Sequence, residues 1–186
     1  AVVDNDGNCA ALGEATFGAG QGCAVCLCVA VGTGIGGGLT VDGQIYRGVR
    51  GSALEVGHIL VDYQGLPCVC GLRGCLEMYA SGPSILAEFR RRHGDEGIRR
   101  LLGAEPADAS TRDVVAAARR GVPEAAEVVA RAGRFLGLGL ASLVHVLDPS
   151  IIVVGGGMAD CWELIYPPAH AEFTARSMPT VRDIPI

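Results

Sequence analysis

The chain has 186 residues, 49% of them apolar and 19% charged, which suits one well-cored domain, or one and a fraction, and excludes wholesale disorder. A net charge of −5 argues against a general nucleic-acid or anionic-membrane binder. All 15 basic residues are Arg, so a phosphate bound here must be held by backbone N–H groups, Arg or a metal ion rather than a lysine.

Residues 1–3 read as the end of a strand. Asp4 or Asn5 is placed to cap a helix over residues 7–17, rich in Ala, Leu and Glu. Residues 23–31 form an apolar run that predicts a strand buried on both faces. A glycine-rich turn over 32–38 follows. Then comes a hairpin of 39–41 and 44–46 about Asp42-Gly43, so the chain opens with three antiparallel strands. Helical spacing predicts helices over 77–93, over 111–119 with Ser110 or Thr111 and Asp113 as the start signal, and over 123–147. Residues 151–154 predict a buried strand ending in Gly155-Gly156-Gly157, with a helix from about Ala159. The most apolar stretch, 135–154, is interrupted by His145, Asp148 and Pro149, which argues for a helix and strand rather than a membrane span. The final residues, 181–186, read as a strand cut short, and the whole as α/β and part of a longer protein. The N-terminus lacks the pattern of a secretory leader, and the expected address is the cytoplasm.

The sharpest motif lies between His58 and Cys75. His58, Cys68, Cys70 and Cys75, with Gly71 and Gly74 between the thiols, supply the donors of a closed tetrahedral zinc site, structural because no position is left open. Glu55 and Glu77 bracket this loop. A metal on one ring nitrogen of His58 leaves the other as a fixed donor, and two carboxylates beside it make a cage for hydroxyls such as those of a sugar. The bland reading of the two acids is solvation or support of the metal. Asn5-Asp6 reads either as a helix cap or as a general base, Asp6, beside a hydroxyl-binding amide. The glycine run from Gly32 to Gly38 suits an anion cradle; although it contains G-x-G-x-x-G, a hairpin follows it rather than the helix a dinucleotide fingerprint requires. Gly155-Gly156-Gly157 suits approach of a flat or anionic ligand at a strand's C-terminal end, or a simple turn. Cys9, Cys23, Cys26, Cys28 and Cys161 are expected to be ordinary thiols.

In order and spacing, NDGNCAALGE, GTGIGGG, DGQIYRG, ALEVGH and PCVCGLRGCLEMYASG resemble the ROK family of sugar kinases and repressors, most closely its bacterial glucokinases. The resemblance implies an actin-like, ribonuclease-H-type ATPase fold. Residues 1–20 would be an interlobe strand end and helix, and 21–186 a C-terminal lobe with the zinc loop at 58–75. It further implies sugar contacts from Asn5, Asp6, Glu55, His58 and Glu77, with Asp6 as the base on the 6-hydroxyl. Gly32, Thr33 and Gly34 would meet the phosphates of ATP, Gly155 and Gly156 its adenosine side, and Mg²⁺ would accompany the nucleotide. Partners would be a hexose, ATP and further copies in a homodimer or homotetramer, with no membrane or nucleic acid through this segment. A sugar-sensing repressor domain, or a kinase for fructose or an N-acetylated hexosamine, stays open. Two departures stand out: Gly7 where the family pattern usually has Ala, and the absence of the family's first phosphate-binding hairpin, so that this chain alone is expected to have little kinase activity.

Overall fold

A computed structural model describes residues 3–186; the strand end expected at residues 1–3 falls largely outside them. Helix α1 (Asp6–Phe17) precedes strands β1 (Val25–Val31), β2 (Ile35–Val41) and β3 (Gln44–Ile45). A 3₁₀ turn (Val56–His58) leads into the loop that ends at α2 (Glu77–Ala80). Helices α3 (Gly82–Gly97), α4 (Thr111–Arg119) and α5 (Pro123–Leu147), strand β4 (Ile151–Gly155) and helix α6 (Trp162–Arg176) complete the chain. The sheet runs β3-β2-β1-β4, with β1–β2 and β2–β3 antiparallel and β1–β4 parallel. This is the expected α/β arrangement with an antiparallel opening.

Where a cap sits beside the element it starts, the expected boundaries hold. Asn5, not Asp4, caps α1, its Oδ1 accepting from the N–H groups of Gly7 (2.8 Å) and Asn8 (3.3 Å). Asp4 instead accepts from Arg47 in the loop after β3 and from Asn8. Ser110 and Asp113 form the capping box of α4, and Pro123 opens α5. Although α5 is long and apolar enough to cross a membrane, 61% of its most apolar window is buried within the fold.

Three expectations are corrected. The turn expected at 32–38 is confined to Gly32–Gly34, and Gly36, Gly37 and Gly38 lie in β2 opposite Ala30, Val29 and Cys28. The cause is α1: a Cβ on Gly38 would collide with the Gly7 carbonyl and lie 2.8 Å from the Ala11 Cβ, so only a bare strand fits beneath the helix. The single helix expected over 77–93 breaks at Ser81, which is extended (ψ 161°) and caps α3; Pro83, in the first turn of α3, has no N–H with which to bond the Tyr79 carbonyl of an unbroken helix. Residues 181–186 form no strand. Their link to the sheet is the Ile152 N–H bonded to the Pro185 carbonyl (2.9 Å), and Pro185 has no N–H with which to reciprocate.

Strand alternation sets Leu27, Val29 and Val31 toward the main core and Cys26 and Cys28 toward α1. Burial pushes the Cys28 thiol up to about 11 and raises Cys26 as well, so both pack as small apolar groups. Below the sheet, Glu88 of α3 is 9% exposed and accepts from Arg91 (2.8 and 2.9 Å) and Arg92 (2.6 Å), with Arg131 of α5 at 3.7 Å. The hydrogen bond from Arg91, then that from Arg92 and the charge of Arg131, hold its carboxyl down to about 2 against burial. Folded-state depression means the ion cluster stabilises the protein above the ordinary value of 4.5, and that contribution disappears as pH falls toward 2. Discounted for the solvent exposure of Arg91, it amounts to about 2 kcal/mol. Urea unfolding is expected to show Glu88→Gln less stable at pH 7 by that amount, with the gap narrowed to about half at pH 3 and nearly closed at pH 2.

Candidate functional site

The donor atoms of His58, Cys68, Cys70 and Cys75 all lie within 4.8 Å of one another. His58 Nδ1 is 3.6 Å from Cys68 Sγ, and Cys70 Sγ is 3.6 Å from Cys75 Sγ. Edges of roughly this length belong to a tetrahedron of sulfur and nitrogen about one metal ion. The loop is shaped for it by two short bridges, Leu60 to Cys75 and Pro67 to Arg73, and by left-handed Gly71 and Gly74. Burial, then hydrogen bonds with Cys70 and Cys68, pushes the Cys75 thiol up to about 12; the N–H of Leu72 contributes most to lowering Cys70. A divalent cation is what would bring such a buried thiol to its thiolate. With Nδ1 turned to the sulfurs, Nε2 of His58 is the nitrogen left for another partner. The remaining thiols join no second cluster of this kind among the described residues.

Tyr79 ties this loop to the core. Its hydroxyl donates to Asp62 (3.1 Å) and accepts from the Leu66 N–H (2.7 Å), and its ring stacks on Phe135 of α5 at 4.2 Å. Arg131 lies over both rings.

Four of the five expected sugar-side residues either touch one short stretch at the start of β2 or adjoin residues that do. Glu77 Oε2 accepts from the Ile35 N–H at 2.9 Å and occupies the space a Gly34 side chain would need. Gly57, between Glu55 and His58, packs so closely on the Ile35 carbonyl that a Cβ would collide with it, and Val56 packs on Gly37. From the other side, α1 brings Asp6 to the same stretch, because Gly7 rests on the Gly37 carbonyl. Asp6 and Glu55 are exposed; Asp6 Oδ1 accepts from the Gly7 N–H (2.8 Å). Asn5 is the capping residue, its Oδ1 engaged by α1. The helix-cap reading of Asn5 holds, and the exposed Asp6 carboxylate sits next to that cap.

Beside this stretch, at the C-terminal ends of the parallel pair β1 and β4, lies a cleft of about 720 Å³. Gly32, Thr33 and Gly157 form its floor, and Gly82 and Thr111 begin the helices that wall it. Its walls are stitched by the Gly82 N–H to the Gly32 carbonyl (2.8 Å) and the Thr111 hydroxyl to the Gly82 carbonyl (2.6 Å). Two helix N-termini and the end of a parallel sheet are a favourable setting for an anion. Of the strand-end glycines, Gly157 lines the cleft. Gly155 pairs with Ala30, and Gly156 (φ +89°) backs onto Val31, where a Cβ would lie 2.5 Å from the Val31 carbonyl oxygen. Arg112 and Arg119 also line the cleft and were not foreseen. Arg119 is engaged by Glu163 and the Asp160 carbonyl. The Ser-Gly-Pro at 81–83, a helix start, was the legible signal for this wall.

The sequence pattern of the ROK family matches residues 1–181. The glucokinase of Streptomyces coelicolor is 37% identical over 177 residues, 92% of this chain and 56% of the relative. The solved ROK family glucokinase from Streptomyces griseus, in complex with glucose and AMPPNP, is 40% identical with a TM-score of 0.85, over 94% of this chain and 58% of that one. A ROK family transcriptional regulator, a homolog of the E. coli MLC protein, is 32% identical with a TM-score of 0.88, over 99% of this chain and 46% of that one. The chain thus spans little more than half the length of these glucokinases. Such neighbours imply an actin-like ATPase fold.

The contact between Gly34 and Glu77 is testable without any ligand. Gly34→Ala should displace the Glu77 carboxylate and leave the Ile35 N–H unbonded, at a cost of about 1–3 kcal/mol. Glu77→Ala should cost the same, and the double variant little more than either alone, as read by urea unfolding of all four chains.

Proposed function

This chain belongs to the ROK family, and we propose that it is the sugar- and nucleotide-holding part of an ATP-dependent hexose kinase, in the first place a glucokinase. The observation that carries the proposal is that Glu77 and the neighbours of Asp6, Glu55 and His58 (Gly7, Val56 and Gly57) rest on the short stretch 34–37 at the start of β2, next to a cleft of about 720 Å³. Glu55, Glu77, the Asn5 amide and His58 Nε2 hold hydroxyls of the hexose. Asp6 takes the proton of the 6-hydroxyl as that oxygen attacks the terminal phosphorus of ATP, and ADP leaves with the bridging oxygen. Phosphoryl transfer needs positioning and charge neutralisation more than covalent chemistry. In a chain without lysine, N–H groups of Thr33 and Gly34 and the helix N-termini of the cleft serve that role, with Gly157 rather than Gly155 or Gly156 at the β4 end of the cleft. Mg²⁺ accompanying the nucleotide would supply further neutralisation of phosphate charge.

We assign zinc to the four-donor group on ligand chemistry, three thiolates and an imidazole in tetrahedral spacing. Held by His58, Cys68, Cys70 and Cys75, it would cross-link the loop and fix the tautomer of His58. Elemental analysis of reduced protein should find one zinc per chain. Cys75→Ser should lose it and lower the melting temperature by about 10 °C or more, since structural zinc contributes on the order of 10 kcal/mol.

A sugar sensor is the second reading, supported by the likeness to the transcriptional regulator. A sensor needs the hydroxyl cage but neither a base nor a phosphate cradle, and the retention of Asp6 and of Gly32–Gly34 favours the kinase. Calorimetric titration separates them. Glucose and AMPPNP both bind in the kinase reading, glucose alone in the sensor, and binding of neither overturns both. In any active chain containing this segment, Asp6→Asn should lower kcat by about 10²–10⁴ while leaving glucose affinity nearly unchanged.

A further inference from the structure

Leu54 precedes Glu55 and has a φ of +64°, in the left-handed region disfavoured for any residue carrying a Cβ. Among the described residues two other non-glycines have positive φ, Asp42 in the hairpin turn and Asp148 at the C-cap of α5. Both are Asp, a residue type that visits this region readily. Leu54 stands apart in residue type and in place.

The surroundings hold it there. The Leu54 side chain packs against the core. Its carbonyl accepts from the Val56 N–H at 2.7 Å across Glu55 (φ −70°, ψ 58°), an inverse γ-turn. Beyond the turn, Val56 is 1% exposed, Gly57 is pressed on β2, and the His58 N–H bonds the Glu55 carbonyl at 3.0 Å. The backbone of Glu55 is thus fixed from both sides while its side chain is exposed. None of the ion pairs among the described residues uses its carboxylate. A fixed backbone presenting an uncommitted carboxylate, held by a strained neighbour, is an arrangement for aiming a side chain at a ligand.

We propose that Leu54 is a positioning residue: its core-anchored side chain holds a left-handed backbone that aims the Glu55 carboxylate at the bound hexose. The inference rests on the sugar-pocket reading above. It separates cleanly from a packing role. If Leu54 only filled space, glycine would serve no better than alanine. If it sets the backbone, alanine loses the anchor, keeps the left-handed penalty and relaxes to negative φ, whereas glycine and asparagine still tolerate the turn.

The experiment is calorimetric titration of the whole chain with glucose and, separately, with AMPPNP, alongside amide hydrogen exchange at Val56. Leu54→Ala is expected to weaken glucose binding by about tenfold or more and to lose Val56 protection. Leu54→Gly and Leu54→Asn should stay within about threefold of the parent chain, and nucleotide affinity should not move in any of them. Should the alanine chain not fold, Leu54→Asn against Leu54→Gln gives the same contrast, both polar but only Asn tolerant of the left-handed turn, with Asn expected to bind about tenfold tighter. Equal glucose affinity in the Ala and Gly chains, or in the Asn and Gln chains, overturns the inference alone. A parent chain that binds no hexose overturns the sugar-pocket reading and this inference with it.

Discussion

The backbone of Ile35 is the joint on which the site hangs. Its N–H is taken by the Glu77 carboxylate, and its carbonyl is faced at close range by Gly57. Ile35 is 5% exposed, so without Glu77 its N–H would be a buried donor with no partner, costing about 1–3 kcal/mol. This fixes one oxygen of Glu77 and leaves the other outside that bond. It also means that the acid cannot shift without disturbing the first residue of β2, and that the metal loop, which ends two residues before Glu77, is tied to the sheet through it.

What was legible in the sequence is what local chemistry determines. Four donors at tight spacing identify a metal group wherever the rest of the chain goes, and the donors of His58, Cys68, Cys70 and Cys75 do converge. Ser110 with Asp113, and Pro123, mark helix starts by bonds made within one turn. The misreadings share an opposite cause. Gly36–Gly38 look like a loop because glycine has low strand preference, yet they are a strand because α1 crosses them, a fact held in residues thirty positions away. The break at Ser81 was signalled by Pro83, but the bond from Gly82 to Gly32 that gives the break its use is long-range. Likewise the cleft draws on Gly157 and Arg112 rather than on the two glycines that end β4, a distinction set by how helices pack, which no spacing rule carries.

Gly7 acquires a physical meaning from the same crossing. In isolation a glycine in the first turn weakens a helix by roughly 1 kcal/mol. Here a side chain at Gly7 would strike the Gly37 carbonyl, so its absence sets how near α1 comes to β2 and therefore where the adjacent Asp6 sits. The helix tolerates the loss because Asn5 caps it twice and because Asp4, held below the ordinary carboxylate range chiefly by the Asn8 amide, the Asn5 N–H and Arg47, ties its start to the loop after β3. The departure from the family pattern is thus a change of distance rather than of chemistry.

The span from Cys75 to Gly82 links the four-donor loop to the rest of the fold. Within it, Cys75 belongs to the metal group, Glu77 bonds β2, Tyr79 stacks on α5 while gripping Asp62 and Leu66, and Gly82 bonds the floor of the cleft. Successive residues of one short, mostly buried segment therefore touch the loop beside Glu55 and His58, the core, and the cleft beside Thr33. A segment fixed at so many points is hard to displace at one end only. A metal cross-link at Cys75 would accordingly set the separation between Glu77 and the glycine turn beside Thr33, which in the proposed kinase is the distance between the two molecules that react.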